Sequence, residues 1–418
     1  MLSLEKAYRN GIIDMAQNKY NGKISSVVCE YNPFHNGHEY MLKKMRENGA
    51  DYIVACMSGN FTQRGIPAIY DKYTRTRAAL CGGVDLVVEL PVTFSCAGAE
   101  RFAYGSISVL NALGCIDEVV FGSECGNTDD IKRAAYAVED KRVSEIIKRR
   151  LETGVTFAAA RQSAVEEVYG KEISDILSGS NNILAVEYIK ALNRTYSEII
   201  PLTLKRIGTE HDSDNTYKGY ASAKYIRSVI EKGGSTDLYI PEYASEIFSS
   251  AKNKPPPGGR MSRLEVAILY SLRMADKKML SELPEVGEGL ENRIYSAVRN
   301  GKSLEEIIDG IKSKRYTRSR ICRIIMYAFL GITKADMPDV PQYIKILGFN
   351  RRGREILKIM KKTALLPVVM RYSDICGFGA DKQDIFRLES RCDDIFSLSG
   401  QNTDVCGRNL TEKIVMVD

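Results

Sequence analysis

Apolar and polar positions along this chain switch between two periods. The first apolar run, 24–31, is rich in β-branched residues and reads as a buried strand. Asn32-Pro33-Phe34 interrupts it. Over 40–48 the period lengthens: Met41, Leu42 and Met45 share one stripe, and Lys43, Lys44, Arg46 and Glu47 take the other, as in an amphipathic helix. The succession repeats. Strands are expected at 51–57, 84–92, 116–121 and 199–207, with helices over 68–80, 99–113, much of 129–170, 181–192 and from 220 onward. Strands joined through single helices pair in parallel, so the first half predicts an α/β fold with a Rossmann-like parallel sheet whose last strand is 199–207.

The pattern then changes. Lys252 to Gly259 reads KNKPPPGG, the clearest linker in the chain. Beyond it come helical patterns at 263–274, 288–300, 304–312 and 321–330, a basic helix after Arg351 and an acidic final helix over 384–399, with fraying expected after it. The expected organisation is an N-terminal extension (1–22), a sheet domain (23–245) and a mostly α-helical C-terminal domain (246–418).

Composition narrows the classes. With 418 residues, 44% apolar and 27% charged, the chain has material for more than one domain. A net charge of +6 permits an anionic partner such as RNA without requiring one. Ten cysteines are scattered with no C-x-x-C pair, which argues against a zinc site, and no metal site is expected. No apolar run is long enough for a membrane helix, so a reducing, cytoplasmic setting and no membrane partner are expected. Nothing in the sequence fixes the oligomeric state.

The candidate chemistry lies in the first strand–turn–helix. His35-Asn36-Gly37-His38 holds two of the three histidines in the chain. A turn from strand end to helix start offers free N–H groups and the positive end of a helix dipole, an anion site. Gly37 lets a phosphate approach the backbone, and both imidazoles can donate to phosphoryl oxygens as charge builds. Ser58 to Pro67 forms a glycine-bounded loop after the second strand, where open α/β sheets bind ligands. Arg64 in it and Lys72 beyond it are candidate phosphate contacts. Asn181 is placed to cap a helix, and Ser222 to cap another that carries Arg227. Arg206 offers a planar cation for phosphate or adenine. Lys314, Arg315, Tyr316, Arg318 and Arg320 combine cations with one aromatic, which suits a phosphate backbone and a stacked base; a solvated charged face is the plainer reading of the same run. His211 reads as an exposed loop residue.

The H-x-G-H turn after a strand resembles the signature of the nucleotidyltransferase superfamily, and Glu30-Tyr31-Asn32-Pro33-Phe34-His35-Asn36-Gly37-His38 resembles the bacterial tRNA(Met) cytidine acetate ligases. Ser58-Gly59-Asn60-Phe61-Thr62-Gln63-Arg64-Gly65-Ile66-Pro67 and Phe121-Gly122-Ser123-Glu124 fit the same family. The likeness begins near Ile24 and leaves 1–22 outside. It implies a nucleotidyltransferase domain that binds ATP through Val28, Cys29, Glu30, Tyr31, Asn32, Pro33, Phe34, His35, Asn36, Gly37, His38, Glu39, Tyr40, Met41, Gly122, Asn181, Arg206 and Ile207. His35 and His38 are then the catalytic pair, and the cationic run from Lys314 contacts tRNA. The implied substrates are ATP, acetate and elongator tRNA(Met), with Mg²⁺ expected to arrive with ATP and no tightly bound cofactor. Lys224 departs from the superfamily, which has a hydroxyl residue there, and Ser180 stands where this family usually has proline. Two alternatives stay open: a cofactor-type adenylyltransferase, which the basic helical half disfavours, and a non-enzymic ATP-sensing RNA-binding protein, which the complete histidine pair disfavours.

Overall fold

The computed structural model describes residues 22–206, 219–287 and 289–418. Eight strands make one sheet: β1 (Ile24–Cys29), β2 (Tyr52–Ser58), β3 (Leu86–Leu90), β4 (Glu118–Ser123), β5 (Ile200–Lys205), β6 (Ile344–Phe349), β7 (Val368–Val369) and β8 (Val415–Met416). Their order is β5-β4-β1-β2-β3-β6-β7, with β8 also on β6. The first five run parallel, while β6 is antiparallel to β3.

Helices cover both faces. Residues α1 (Asn36–Glu47), α2 (Lys72–Cys81) and α5 (Ala223–Glu231) pack on one, burying Leu42, Met45, Ala79 and Ile226 against Val27, Cys29 and Met57. On the other, α3 (Ala99–Ala112), α4 (Ser180–Arg194) and α8 (Arg351–Thr363) bury Ile107, Val186 and Ile356 against Val54, Cys56, Val88 and Val119. Strands covered on both faces need continuous apolar sequence, which is why those runs were legible. A third core lies between α6 (Gly259–Met274), α7 (Arg318–Leu330) and α9 (Ala380–Ser397), and it takes in Phe61 and Val92 from beside the sheet.

The structure corrects several boundaries. The sheet does not end at β5, because β6, β7 and β8 join it from beyond residue 246 in an otherwise helical region. The helix Glu242–Ser249 packs with the sheet domain, its Phe248 stacked on Tyr70 at 4.3 Å. The KNKPPPGG segment is docked rather than loose: Asn253 is buried, and Arg260 bonds its Oδ1 at 3.0 Å, the Ser399 hydroxyl at 3.0 Å and the Ile69 carbonyl at 2.8 Å. The end of the chain is ordered through β8, whose Val415 is buried. Helix α1 begins at Asn36 rather than at residue 40, and α2 at Lys72 rather than 68, because His35 and Asp71 cap them. The expected N-terminal extension, apart from Gly22, lies outside the described residues.

The helical region docks on the loop that follows β2. Gly65, at φ +70°, lies so close to α7 that a Cβ would stand 2.3 Å from the Arg323 amide nitrogen and 2.5 Å from the Cys322 carbonyl carbon. Both are backbone atoms that cannot step aside. Replacing Gly65 by Ala is therefore expected to destabilise the fold by at least about 2 kcal/mol, read as a lowered denaturation midpoint.

Candidate active site

At the carboxyl ends of β1, β2 and β4 the chain leaves a cavity of about 200 Å³. Buried Arg75 on α2 shapes its floor. Its guanidinium takes the carbonyls of Glu30 at 2.6 Å, Ser58 at 3.0 Å and Tyr70 at 2.9 Å, and that of Gly59 as well. The Glu30, Ser58 and Gly59 carbonyls lie at or just past the ends of β1 and β2, and that of Tyr70 lies just before α2. Burial lowers the Arg75 pKa to about 10, still well above neutrality.

His35 is the N-cap of α1. Its Nδ1 accepts from the Gly37 N–H at 3.1 Å, and His38 Nδ1 accepts from the His35 N–H at 3.3 Å. The two rings stack with centroids 3.7 Å apart, so both Nε2 atoms remain available beside the helix N-terminus. Burial, then Arg206 and Arg227, lower His35 to about 3; burial, then His35 and Arg206, push His38 well below its ordinary value. Both are neutral at physiological pH and can donate through Nε2–H.

A second helix N-terminus faces the same space. Ser222 caps α5, its Oγ accepting from the Tyr225 N–H at 3.1 Å, and Arg227 on that helix donates to the Asn32 carbonyl at 2.8 Å. Asn32 Oδ1 accepts from the Ile69 N–H at 2.7 Å, while its amide nitrogen is buried without a partner among the described residues. Across the cavity, Gly179 rather than Asn181 caps α4. The Glu124 carboxylate does the capping work, accepting from the N–H groups of Asn181 at 3.0 Å and Asn182 at 2.7 Å and from Asn181 Nδ2 at 2.7 Å. This leaves Asn181 Oδ1 for Arg206 Nη1, at 3.4 Å. Gly122 lies beneath, where a Cβ would stand 3.2 Å from Arg206 Cγ.

Val28, Cys29, Glu30, Tyr31, Asn32, His35, His38, Met41, Arg64, Gly122, Asn181, Arg206, Ser222 and Arg227 thus line one cavity. Gly37 and Tyr40 line an adjoining recess of about 80 Å³ that shares the histidines, Met41, Gly122 and Arg206. Three residues of the signature, and Glu39 after it, do not line the cavity. Phe34 is buried beneath the turn, its ring 5.0 Å from Tyr31, and Pro33 lies in that turn away from the cavity. Asn36 ties α1 to the carbonyls of Gly219 and Leu238, and Glu39 pairs with Lys43. Ile207 and His211 lie outside the described residues.

Lys72 is a correction. It is fully buried on the far side of α2, held by Glu89 at 2.7 Å and Asp393 at 2.7 Å, and reaches no part of the cavity. Tyr316 is another: at 8% exposure its ring belongs to the helical core and offers no face to a base. Arg320 holds the Glu285 carbonyl at 2.7 Å and Arg318 pairs with Glu305 at 2.5 Å; Lys314, Arg315 and Arg318 are exposed. The sequence reading overlooked Phe102, Phe121, Leu184 and Tyr188, which line the cavity's apolar side. The signal was available: Asn181, Leu184 and Tyr188, three and four residues apart, share a helix face.

A larger groove of about 570 Å³ beside β6 lacks this chemistry; its buried cation, Lys345, is committed to Glu89 and Asn409. Among the described residues no three acidic, histidine or cysteine side chains are grouped to hold a metal, and no helix is long and apolar enough to cross a membrane.

The model of the HIGH Nucleotidyl Transferase family matches residues 22–409. The tRNA(Met) cytidine acetate ligase of Thermoanaerobacter sp. (strain X514) is 38% identical over 400 residues, spanning 94% of this chain and 99% of that protein. That of Clostridium novyi (strain NT) is 41% identical over 360 residues, covering 83% and 90%. Thermotoga maritima TmcAL bound to alpha-thio ATP superposes with a TM-score of 0.85 at 32% identity over 94% of this chain and 99% of that one; its apo form gives 0.89.

The depressed His35 pKa has a measurable sign. Below its ordinary 6.5 the unfolded chain binds a proton that the folded ring refuses until about pH 3, so this group lowers stability as pH falls through that window. Ring NMR should show His35 neutral throughout pH 5–8, and bound ATP should raise its pKa by placing negative charge beside it.

Proposed function

The chain belongs to the HIGH nucleotidyl transferase family and, within it, to the tRNA(Met) cytidine acetate ligases, and from that premise we propose the following reaction. The protein is an ATP-dependent ligase. A carboxylate oxygen of acetate attacks the α-phosphorus of ATP, the bond to the β-phosphate's bridging oxygen breaks, and pyrophosphate leaves. The N4 amine of the wobble cytidine in elongator tRNA(Met) then attacks the acetyl carbon of acetyl-adenylate. It loses one proton, and N4-acetylcytidine and AMP result.

The observation that carries this reading is the stacked, neutral His35–His38 pair at the tip of α1, opposite the α5 N-terminus. Two aimed N–H donors, two helix N-termini and the cations Arg206 and Arg227 match the charge that gathers on the α-phosphoryl group in the transition state. In this reading Asn181 and Gly122 meet the nucleoside, and the neighbouring recess at Tyr40 and Leu204 takes the base. Mg²⁺ would come as the ATP complex, bound through phosphate oxygens and water. Lys314 and Arg315 contact the tRNA backbone electrostatically. The reaction takes place in the cytoplasm, where tRNA is processed.

Two experiments test the assignment. With ATP, radiolabelled acetate and tRNA(Met), His35→Ala should lower label transfer by about 10²–10³-fold, the scale of losing an aimed transition-state donor. Equal labelling by that variant removes His35 from the chemistry. Reversing both charges in Lys314→Glu/Arg315→Glu should weaken tRNA binding about tenfold and flatten its salt dependence, leaving acetyl-adenylate formation intact.

A further inference from the structure

The two walls of the cavity differ in chemistry, and the sheet separates them. Helices α1 and α5, with the imidazoles, Ser222 and Arg227, belong to one face. The opposite wall lies between α3 and α4. There Val28 and Leu184 are half-buried, and Phe102, Phe121 and Tyr188 are buried. Strand alternation makes the division: Val28 packs with the α3/α4 core, while Val27 and Cys29 pack under α1.

Tyr188 is the informative member. It is 3% exposed, with its ring 5.5 Å from Phe121. Its hydroxyl has no hydrogen-bond partner among the described residues, yet it lines the cavity and is not sealed in the core as the Tyr243 and Tyr343 hydroxyls are. A buried tyrosine hydroxyl normally finds a partner. An apolar recess ending in one unpartnered donor suits a small amphiphile and gives a triphosphate nothing to bind.

We propose that this recess is the acid site and sets acid specificity, taking a short, unbranched monocarboxylate. The methyl group lies against Val28, Phe102 and Leu184. One carboxylate oxygen accepts the Tyr188 O–H, and the other faces the α-phosphorus held at the histidine pair. Glu30 stands at the lip, its Oε1 accepting from the Gln63 N–H at 2.9 Å. Its charge repels a second carboxylate, so dicarboxylates are excluded. Arg64 lines the same rim. This inference rests on the ligase reading above and adds the residues that choose the acid.

The test is acid-dependent ATP–pyrophosphate exchange by the full-length protein with acetate, propionate, butyrate and malonate. Leu184→Ala should raise the propionate-to-acetate ratio of kcat/KM about tenfold, the scale for one methylene in an apolar pocket; Leu184→Val, a gentler widening, should move it the same way. Tyr188→Phe should raise the acetate KM about tenfold while the ATP KM stays within about twofold. Malonate should be inert with the parent protein. If the Leu184 variants leave the ratio unchanged, or if Tyr188→Phe moves the ATP KM as much as the acetate KM, the wall belongs to the nucleotide and the inference is overturned. Absence of exchange with every acid in the parent protein would instead refute the ligase reading, and the acid site would fall with it.

Discussion

Parallel strands end in carbonyls that point at nothing, and this molecule answers that constraint with one buried cation. Arg75 gathers the carbonyls of Glu30, Ser58, Gly59 and Tyr70, so the ends of β1 and β2 and the approach to α2 are fixed together. A guanidinium suits the task because its five N–H groups are rigidly planar and its charge survives burial. Removing it would strand several buried acceptors at once, each costing about 1–3 kcal/mol. The turn that holds the histidines begins at Glu30, so the geometry of the anion site is inherited from this network.

The same edge of the sheet explains why the imidazoles are neutral. Burial and the neighbouring guanidinium groups of Arg206 and Arg227 leave no room for a further positive charge until an anion arrives. A protonated pair would attract phosphate in the ground state and the transition state alike, which tightens binding without speeding the reaction. In the proposed reaction, neutral donors beside two helix N-termini would gain most when the phosphoryl oxygens gain charge, and that difference would accelerate the chemical step. Glu124 contributes indirectly. By occupying the N–H groups at the start of α4 it keeps that helix tip from competing for phosphate, and it turns the Asn181 carbonyl oxygen toward Arg206.

Much of this was legible before any coordinates, for identifiable reasons. The parallel sheet announced itself because strands covered on both faces must be apolar throughout, and the histidine turn because it holds two of the chain's three histidines. What escaped depended on partners distant in sequence. Lys72 looked like a phosphate ligand from its position after the loop, but Glu89 and Asp393 claim it from 17 and 321 residues away. Tyr316 sits in a run of cations and looked exposed, yet helical packing buried its ring. The start of α1 was placed late because His35, Asn36 and Gly37 carry no apolar stripe; a capping imidazole sets that boundary. Strand β6 lies in an otherwise helical region, with Lys345 and Gly348 interrupting its apolar run, and its pairing with β3 reveals it.

The helical region is more than an appendage. Helix α7 presses its backbone on Gly65, and Arg323 joins the Glu285 carboxylate at 2.7 Å to the Gln63 carbonyl at 3.2 Å. The Glu285 carboxylate also accepts from the Gly98 N–H at 3.1 Å, at the start of α3. One side of the cavity therefore depends on this contact twice, through the loop bearing Gln63 and Arg64 and through the helix bearing Phe102. The exposed cations Lys314 and Arg315 immediately precede the same helix. A polyanion docked there would load an element whose middle is in van der Waals contact with the wall of the site. If the proposed tRNA surface and the proposed acyl-activating pocket are right, they share one rigid part, and the loop glycine is where they touch.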